Sequence, residues 1–587
     1  MPRLIHAAVP VLLLSQSVSC VASNKPDSTP DQVGSQTAAA ITISPNLPAD
    51  IPGGAPGSSL PAASAFAWQE FIALNWPALG NPRDTPDATK LFGQPGYTGP
   101  LVWHTFRGKV EIYPGSGVPN GYSSQPPSFG YDAPPQYRYS TSQFPNGGQV
   151  PPCAGQDLGQ PTAWINLDEM SEIGLNTMYA GKVPTVSPGA PSVQQQFLFM
   201  AKANRQEYAY VVDPATSYYT HGPQYAAATQ NFINFYTQLS NGGTAPLKPP
   251  YINFPVDTIE SKAAWRRLST TEAASGRFYT APVRYYESIP GSANGICYRQ
   301  DTWGLAALHI IRKTPTAPYF VYATFEQADN ILDANGQPVE DVNGKVLLNP
   351  GASPMDPAIT VTPAVAANPA TASSIEHFSP ASANCRPEQR LYYVNSPSAP
   401  LTTQGVICVN KRVHDIPADV IAANQAAHAS IAAYNAANKI SSSPWLYYKL
   451  VNVQAQPLDK PQGQPYTGPD IATFYQANIV VETDSNLQTF SGQFQKPIAD
   501  PSVNTNNLIT EFSLTGKPLT NVYYSPKLYN MGGCMGCHGN AQVSAGTDFS
   551  FILAGGRVAA PEVAVLPSSA PLPERVQKLL GVLTNHP

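Results

Sequence analysis

Helical spacing opens the folded part of the chain. From Ser64, a side chain suited to cap a helix, Trp68, Phe71, Ile72 and Asn75 fall on one stripe that stops before Pro77. Such an aromatic stripe is core packing rather than a site. The period then shortens. Leu101 to Phe106 alternates as a strand does and sets His104 among apolar neighbours, where a histidine is usually a hydrogen-bonded core residue. Residues 195–200 and 208–212 read as strands and 225–239 as a helix through Phe232, Ile233 and Tyr236; 259–268 reads as a short helix with Trp265 inward.

The clearest β-rich runs are Trp303 to Thr314 and Tyr319 to Gln327, joined across Pro315, Thr316, Ala317 and Pro318. They predict an antiparallel hairpin. Alternation puts Leu305, Ala307, His309 and Ile311 on one face of the first strand, and Thr324 and Glu326 on one face of the second. Asp333 with Gly336 and Asp341 with Gly344 repeat an Asx-Gly turn, and neither has the Glu at the twelfth position that a calcium loop needs. Asp415 to Lys439 is an Ala-rich helix with His428 on its outer face, and 445–451 and 477–483 are strands. Tyr523, Tyr524 and Tyr529 then lead toward Asp548 to Leu553, and 573–583 forms a last amphipathic helix.

Composition agrees with a sheet-rich chain. Only 12% of the 587 residues are charged, while Tyr numbers 30, Pro 62 and Gly 43. The expected fold class is α+β, β-rich with short helices and many Pro/Gly loops. A net charge of -5 with no basic run gives no electrostatic reason for a nucleic-acid partner. Neither a G-x-G-x-x-G after a strand nor a Walker loop is present.

Residues 1–20 have the order of a signal peptide, with Arg3, the apolar run Ala7 to Leu14 and the small residues Ser15 to Ser19. Cys20 sits where a lipoprotein signal peptidase would leave an acylated cysteine, a membrane tether; Ser17, where a hydrophobic residue is preferred, keeps cleavage without lipidation open. Residues 21–63 read as a flexible linker, 64–440 as a β-rich body with short helices, and 441–587 as the C-terminal region. That region carries the chemistry.

Met531-Gly532-Gly533-Cys534-Met535-Gly536-Cys537-His538-Gly539-Asn540 contains C-x-x-C-H. Two thiols three positions apart can each add across a haem vinyl group, and the next residue can turn its imidazole onto the iron. Cys534 and Cys537 are therefore the cofactor-binding residues, His538 is the metal ligand, and the cofactor is one covalent haem c. A disulfide or half of a zinc site is the plainer alternative, but no second Cys or His pair lies at short spacing. Candidates for the sixth iron ligand are His104, His309, His377, His414, Met531 and Met535, the last two being close to the attachment turn. Of seven cysteines, Cys20, Cys534 and Cys537 are accounted for, and the even remainder suggests two disulfides. Of three pairings, Cys153–Cys297 with Cys385–Cys408 is preferred because it closes one long and one compact loop.

The single late C-x-x-C-H, the run Asp548-Phe549-Ser550-Phe551 after it and the hairpin ending Thr324-Phe325-Glu326 resemble large exported bacterial single-haem cytochrome-c-like proteins of unsettled function. Ala263-Ala264-Trp265-Arg266 and the segment from Trp303 to Asn330 add to the likeness. More distantly, a haem site after a β-hairpin is similar to the β-sheet monohaem cytochromes that include hydroxylamine-oxidising members, whose haem is cross-linked to a lysine. Lys313 would be the lysine to consider.

The expectation is an exported c-type cytochrome, in the periplasm or at the outer membrane, that exchanges electrons with a redox partner protein. One alternative is a haem-dependent oxidoreductase on peroxide, hydroxylamine or nitric oxide at an open iron, with His309 and Glu326 as catalytic candidates and Glu482 as a further proton carrier. Another is a surface binding protein with a haem redox module. A bare carrier needs only about a hundred residues, so the rest of the chain is expected to shape a pocket or a partner surface.

Overall fold

The hairpin is the spine of the fold. In the computed structural model the described residues are 41–155, 163–169, 177–179, 197–268, 270–289, 295–330, 340–347, 390–394, 404–408, 416–456, 522–525, 527–529 and 533–563. β7 (Ile296–Thr314) and β8 (Ala317–Gln327) pair antiparallel, as expected. On the other edge of β7 lie β5 (Ile259–Arg266), β4 (Leu198–Ala203) and β1 (Arg107–Gly108) in turn. β6 (Thr280–Ser288) pairs with the first half of β7 and carries β2 (Ile165–Leu167) in parallel, while β11 (Tyr448–Gln454) lies beyond β8. These strands make one mixed, nearly barrel-shaped sheet, and the protein is α+β and sheet-rich. β3 (Thr177–Tyr179), β9 (Arg390–Val394) and β10 (Gln404–Cys408) form a small second sheet, and β12 (Val522–Tyr524) with β13 (Lys527–Tyr529) a ribbon.

Helices cover both faces of the large sheet. α1 (Leu60–Leu74) and α6 (Ala418–Ala437) bury Trp68, Phe71 and Ile431 against Leu308, Ile310 and Phe325. On the opposite face α3 (Arg205–Val212) and α4 (Pro223–Ser240) join the helix that carries the C-x-x-C-H motif and bury Tyr208, Phe232 and Met535 with Ile311 and Tyr322. A sheet buried on both faces explains why β7 and β8 read as near-continuous apolar runs. α2 (Lys109–Ile112) and α5 (Thr270–Ala274) are short connectors.

Several expectations are corrected. The packed body does not begin at Ser64: Ile41, Ile51 and Ala55, inside the expected linker, are core residues, and Ser59 is the cap of α1. Leu101 to Phe106 holds a 3-10 turn at Trp103–Thr105 instead of a strand. Residues 208–212 are helical because Asn204 caps the Glu207 N–H and a helix buries Tyr208, Val211 and Val212 together. Residues 259–266 are a strand, since each finds a partner on β7 and 260–265 find one on β4 as well, and pairing overrides local spacing. A bulge at β7 opposite Ala264 and Trp265 breaks the expected face: Leu305 points to the α1 side, Ile311 to the α4 side.

The disulfide Cys153–Cys297 forms as expected, whereas Cys385 lies outside the described residues. The Asp341–Gly344 turn also forms, with Asp341 Oδ1 accepting from the Asn343 and Lys345 N–H groups.

His428 is not on an outer face but buried. Its Nε2–H donates to the Tyr448 carbonyl at 2.8 Å, and Nδ1 meets the Asn343 side-chain amide at 2.8 Å. The Ala-rich helix sits close enough to the sheet for this. Burial pushes His428 down to about 4, so its contribution to stability is full above the unfolded value of 6.5 and is lost as pH falls through 4. His428→Gln is expected to remove that acid limb, worth about 3 kcal/mol at about 1.4 kcal/mol per pH unit, in urea titrations at successive pH values. An unchanged acid limb would refute the assignment.

Candidate functional site

The C-x-x-C-H motif lies on α7 (Gly533–Ala545), where helical spacing brings positions 534, 537 and 538 to one face. Glycines hold this helix close to its neighbours. A Cβ at Gly539 would meet Val522 of β12 at 2.7 Å, and one at Gly546, which ends the helix at φ +67, would meet the Thr229 carbonyl of α4 at 2.6 Å. Gln542 clamps the ribbon by accepting from the Tyr523 N–H and donating to its carbonyl, both at 3.0 Å.

Beneath α7 the sheet presents two rows of side chains set by strand register. One runs Lys262, His309, Thr324, Asn452, and the next runs Glu260, Ile311, Tyr322, Gln454. Gln454 Oε1 accepts from the Met535 N–H at 2.9 Å, and the Tyr322 ring lies 5.2 Å from that of His538. The Phe551 ring of α8 (Phe551–Gly555) lies at the same distance from His538. Asn452 Oδ1 is buried with no donor among the described residues.

His538 is held in one tautomer. Its Nδ1 is 2.8 Å from the Phe549 carbonyl, which can only accept, so Nδ1 carries the proton. Burial above all, and then the Lys262 charge, push the imidazole down to about 4 against the opposing Phe549 bond. At neutral pH the ring is neutral and Nε2 presents a lone pair. Between α7 and α8 the strap Thr547–Ser550 is tied down residue by residue. Asp548 accepts from Lys313 at 2.5 Å and from the Phe254 N–H at 2.7 Å, Phe549 accepts from His538, and Ser550 caps α8 by accepting from the Leu553 N–H. Asp548 and Phe549 both have positive φ, +51 and +70, a costly conformation for non-glycine residues.

Not every candidate reaches this place. His309 does: it is one row from Tyr322 and has Nε2 3.4 Å from Thr324 Oγ1; burial above all, and then the Lys262 charge, push it down to about 3. Met535 is buried within the C-x-x-C-H segment itself. His104 lies across the sheet among Trp103, Trp265 and Tyr279. Glu326 is buried 3.6 Å from Lys449, which also pairs with Glu340. The Lys313 amine is committed to Asp548 and Asn253. His377, His414, Met531 and Glu482 lie outside the described residues. Sequence reasoning missed Lys262 and Tyr322, which only strand register reveals, and the strap at Asp548 to Ser550, which long-range bonds hold.

Compared with protein-family models, curated proteins and solved structures, the chain matches none.

Proposed function

We propose that the chain is an exported c-type cytochrome in which Cys534 and Cys537 would hold one haem through thioether bonds and His538 would bind its iron, and that it exchanges electrons with a protein partner. The observation that carries this reading is the His538–Phe549 bond, which fixes a neutral imidazole with Nε2 as its acceptor, directly after two cysteines on the same helical face. The surroundings fit such a group: rings flank the imidazole, and the orphaned Asn452 oxygen lies in the neighbouring sheet row. A haem bound there supplies a one-electron redox centre. The chain's own part is to hold the ligand ring. The Phe549 carbonyl makes Nε2 more basic, and Tyr322 and Phe551 keep water from the imidazole. The exported location, and a membrane tether where Cys20 is acylated, belong to the same proposal.

A second reading, a haem-dependent oxidoreductase on peroxide, hydroxylamine or nitric oxide, turns on His309. Among the described residues it is the histidine that shares the sheet face with His538, and its Nε2 faces Thr324. Visible spectra of protein made with haem-attachment machinery separate the two readings. Electron transfer predicts low-spin reduced bands that carbon monoxide leaves unchanged. A high-spin spectrum shifted by carbon monoxide would favour the second reading, and the absence of covalent haem bands would overturn both.

A further inference from the structure

Beside the strap lie two carboxyl groups that the proposed function does not use. Glu207 of α3 and Glu260 of β5 are buried, and their side chains are within hydrogen-bonding reach of each other. Among the described residues, neither oxygen of Glu207 meets an N–H or O–H donor, nor does Glu260 Oε1. Two buried carboxylates cannot face each other without a donor between them, so the pair must hold a proton, one acid group donating to the other.

The charged and titratable groups around them come from every packed element. They are Asp548 on the strap, Lys313 of β7, Lys109 of α2, and Tyr113, which follows α2. Burial raises both carboxyls, and Asp548 raises them further; Lys313 opposes the shift at Glu207, and Lys109 and the Ser550 hydroxyl oppose it at Glu260.

The pair is joined to His538 by the strap. Ser550 donates to Glu260, and the preceding residue, Phe549, accepts from His538. Strand register gives a second route, since Glu260 shares its row with Tyr322, two strands away, whose ring touches His538. At roughly 4.8 Å per strand this is about 10 Å. The His538 ring lies a further 5.2 Å from that of Tyr322; one unit of charge about 15 Å away, in an effective dielectric of about 20, changes a proton affinity roughly sixfold.

We infer that Glu207 and Glu260 form a proton-exchange site coupled to the redox state of a haem held by His538, so that each electron taken up draws a proton onto the acid pair. This rests on the proposed function. The electron comes from the protein partner, the proton comes from solvent, and no other bond changes.

The test has two readouts. In the haem-free chain, infrared difference spectra should show the carbonyl stretch of a protonated buried acid, shifted in frequency in Glu207→Gln and in Glu260→Gln and absent when both are replaced. In the haem-loaded chain, the midpoint potential should fall with rising pH, by up to about 59 mV per unit for one proton per electron, and the slope should flatten in both variants. Should either variant fail to fold, Ser550→Ala replaces it: losing the hydroxyl raises the proton affinity and moves the sloping region to higher pH. No acid band in the wild type overturns the shared proton. A band with a pH-independent potential overturns the coupling. A chain without covalent haem overturns the proposed function and the coupling together, and leaves the infrared band to be judged alone.

Discussion

Cys534→Ala/Cys537→Ala is expected to lose all covalently retained haem while keeping its fold. Cys534 sits near the start of α7, partly exposed, and alanine is the better helix former at both helical positions, so the double substitution removes the thiols and keeps the helix. His538→Ala should behave differently. Both thioethers remain, but the axial imidazole is gone, and the spectrum should become high-spin. The readouts are haem retained by the chain after denaturation and acid-acetone extraction, with far-ultraviolet circular dichroism as the check on folding. Haem that stays with the denatured double variant would show that attachment runs through other residues. Because the two variants fail in different ways, attachment and ligation can be assigned separately.

How much of this was legible before the structure depends on the range of the interaction involved. The β7–β8 hairpin was legible because two apolar runs meet across a short Pro-bounded turn, a local signal. The α4 helix was legible for the same reason, through Phe232 and Tyr236. β5 was not. Its Ile259, Ala263 and Trp265 fit either period, and only distant partners on β7 and β4, Ile259 with Arg312 and Trp265 with Leu198 among them, decide for the strand. The bulge opposite Ala264 and Trp265 is equally non-local, and it moves Leu305 to the other core.

The site divides in the same way. C-x-x-C-H is a contiguous motif, so Cys534, Cys537 and His538 stand as candidates from the sequence alone. What surrounds them could not. Lys262, His309 and Tyr322 come together through register across three strands, and Glu207 meets Glu260 through the packing of a helix that read as a strand. His428 shows the reverse failure. An Ala-rich helix carries almost no periodic signal, so the sequence offered no reason to bury that ring.

Replacing Lys313 with methionine should be the most costly single change beneath the strap, at about 3–5 kcal/mol, because it leaves the partner of a buried ion pair uncompensated. Lys313 is buried and bonded to Asp548 at 2.5 Å and to Asn253 at 3.0 Å. Without it, the Asp548 carboxylate would face Glu207 and Glu260 with only Lys109, on the Glu260 side, to offset them. Asp548 is also the first of two consecutive residues at positive φ, a backbone that costs about 1–3 kcal/mol per residue and persists only where it is anchored. Burial already raises the Asp548 carboxyl and Lys313 holds it down, so removing the lysine raises it further. A carboxyl raised on folding is stabilising below its unfolded value, and that contribution is lost as pH rises through the folded one. The penalty of Lys313→Met should therefore be larger at pH 8 than at pH 5. Adding Asp548→Asn removes the stranded charge and should recover part of the loss, giving a non-additive pair. Urea denaturation of the haem-free variants at both pH values measures all of this. A Lys313→Met chain as stable as the wild type at pH 8 would mean that the ion pair does not hold the strap, and that the Phe549 carbonyl keeps its place by packing alone.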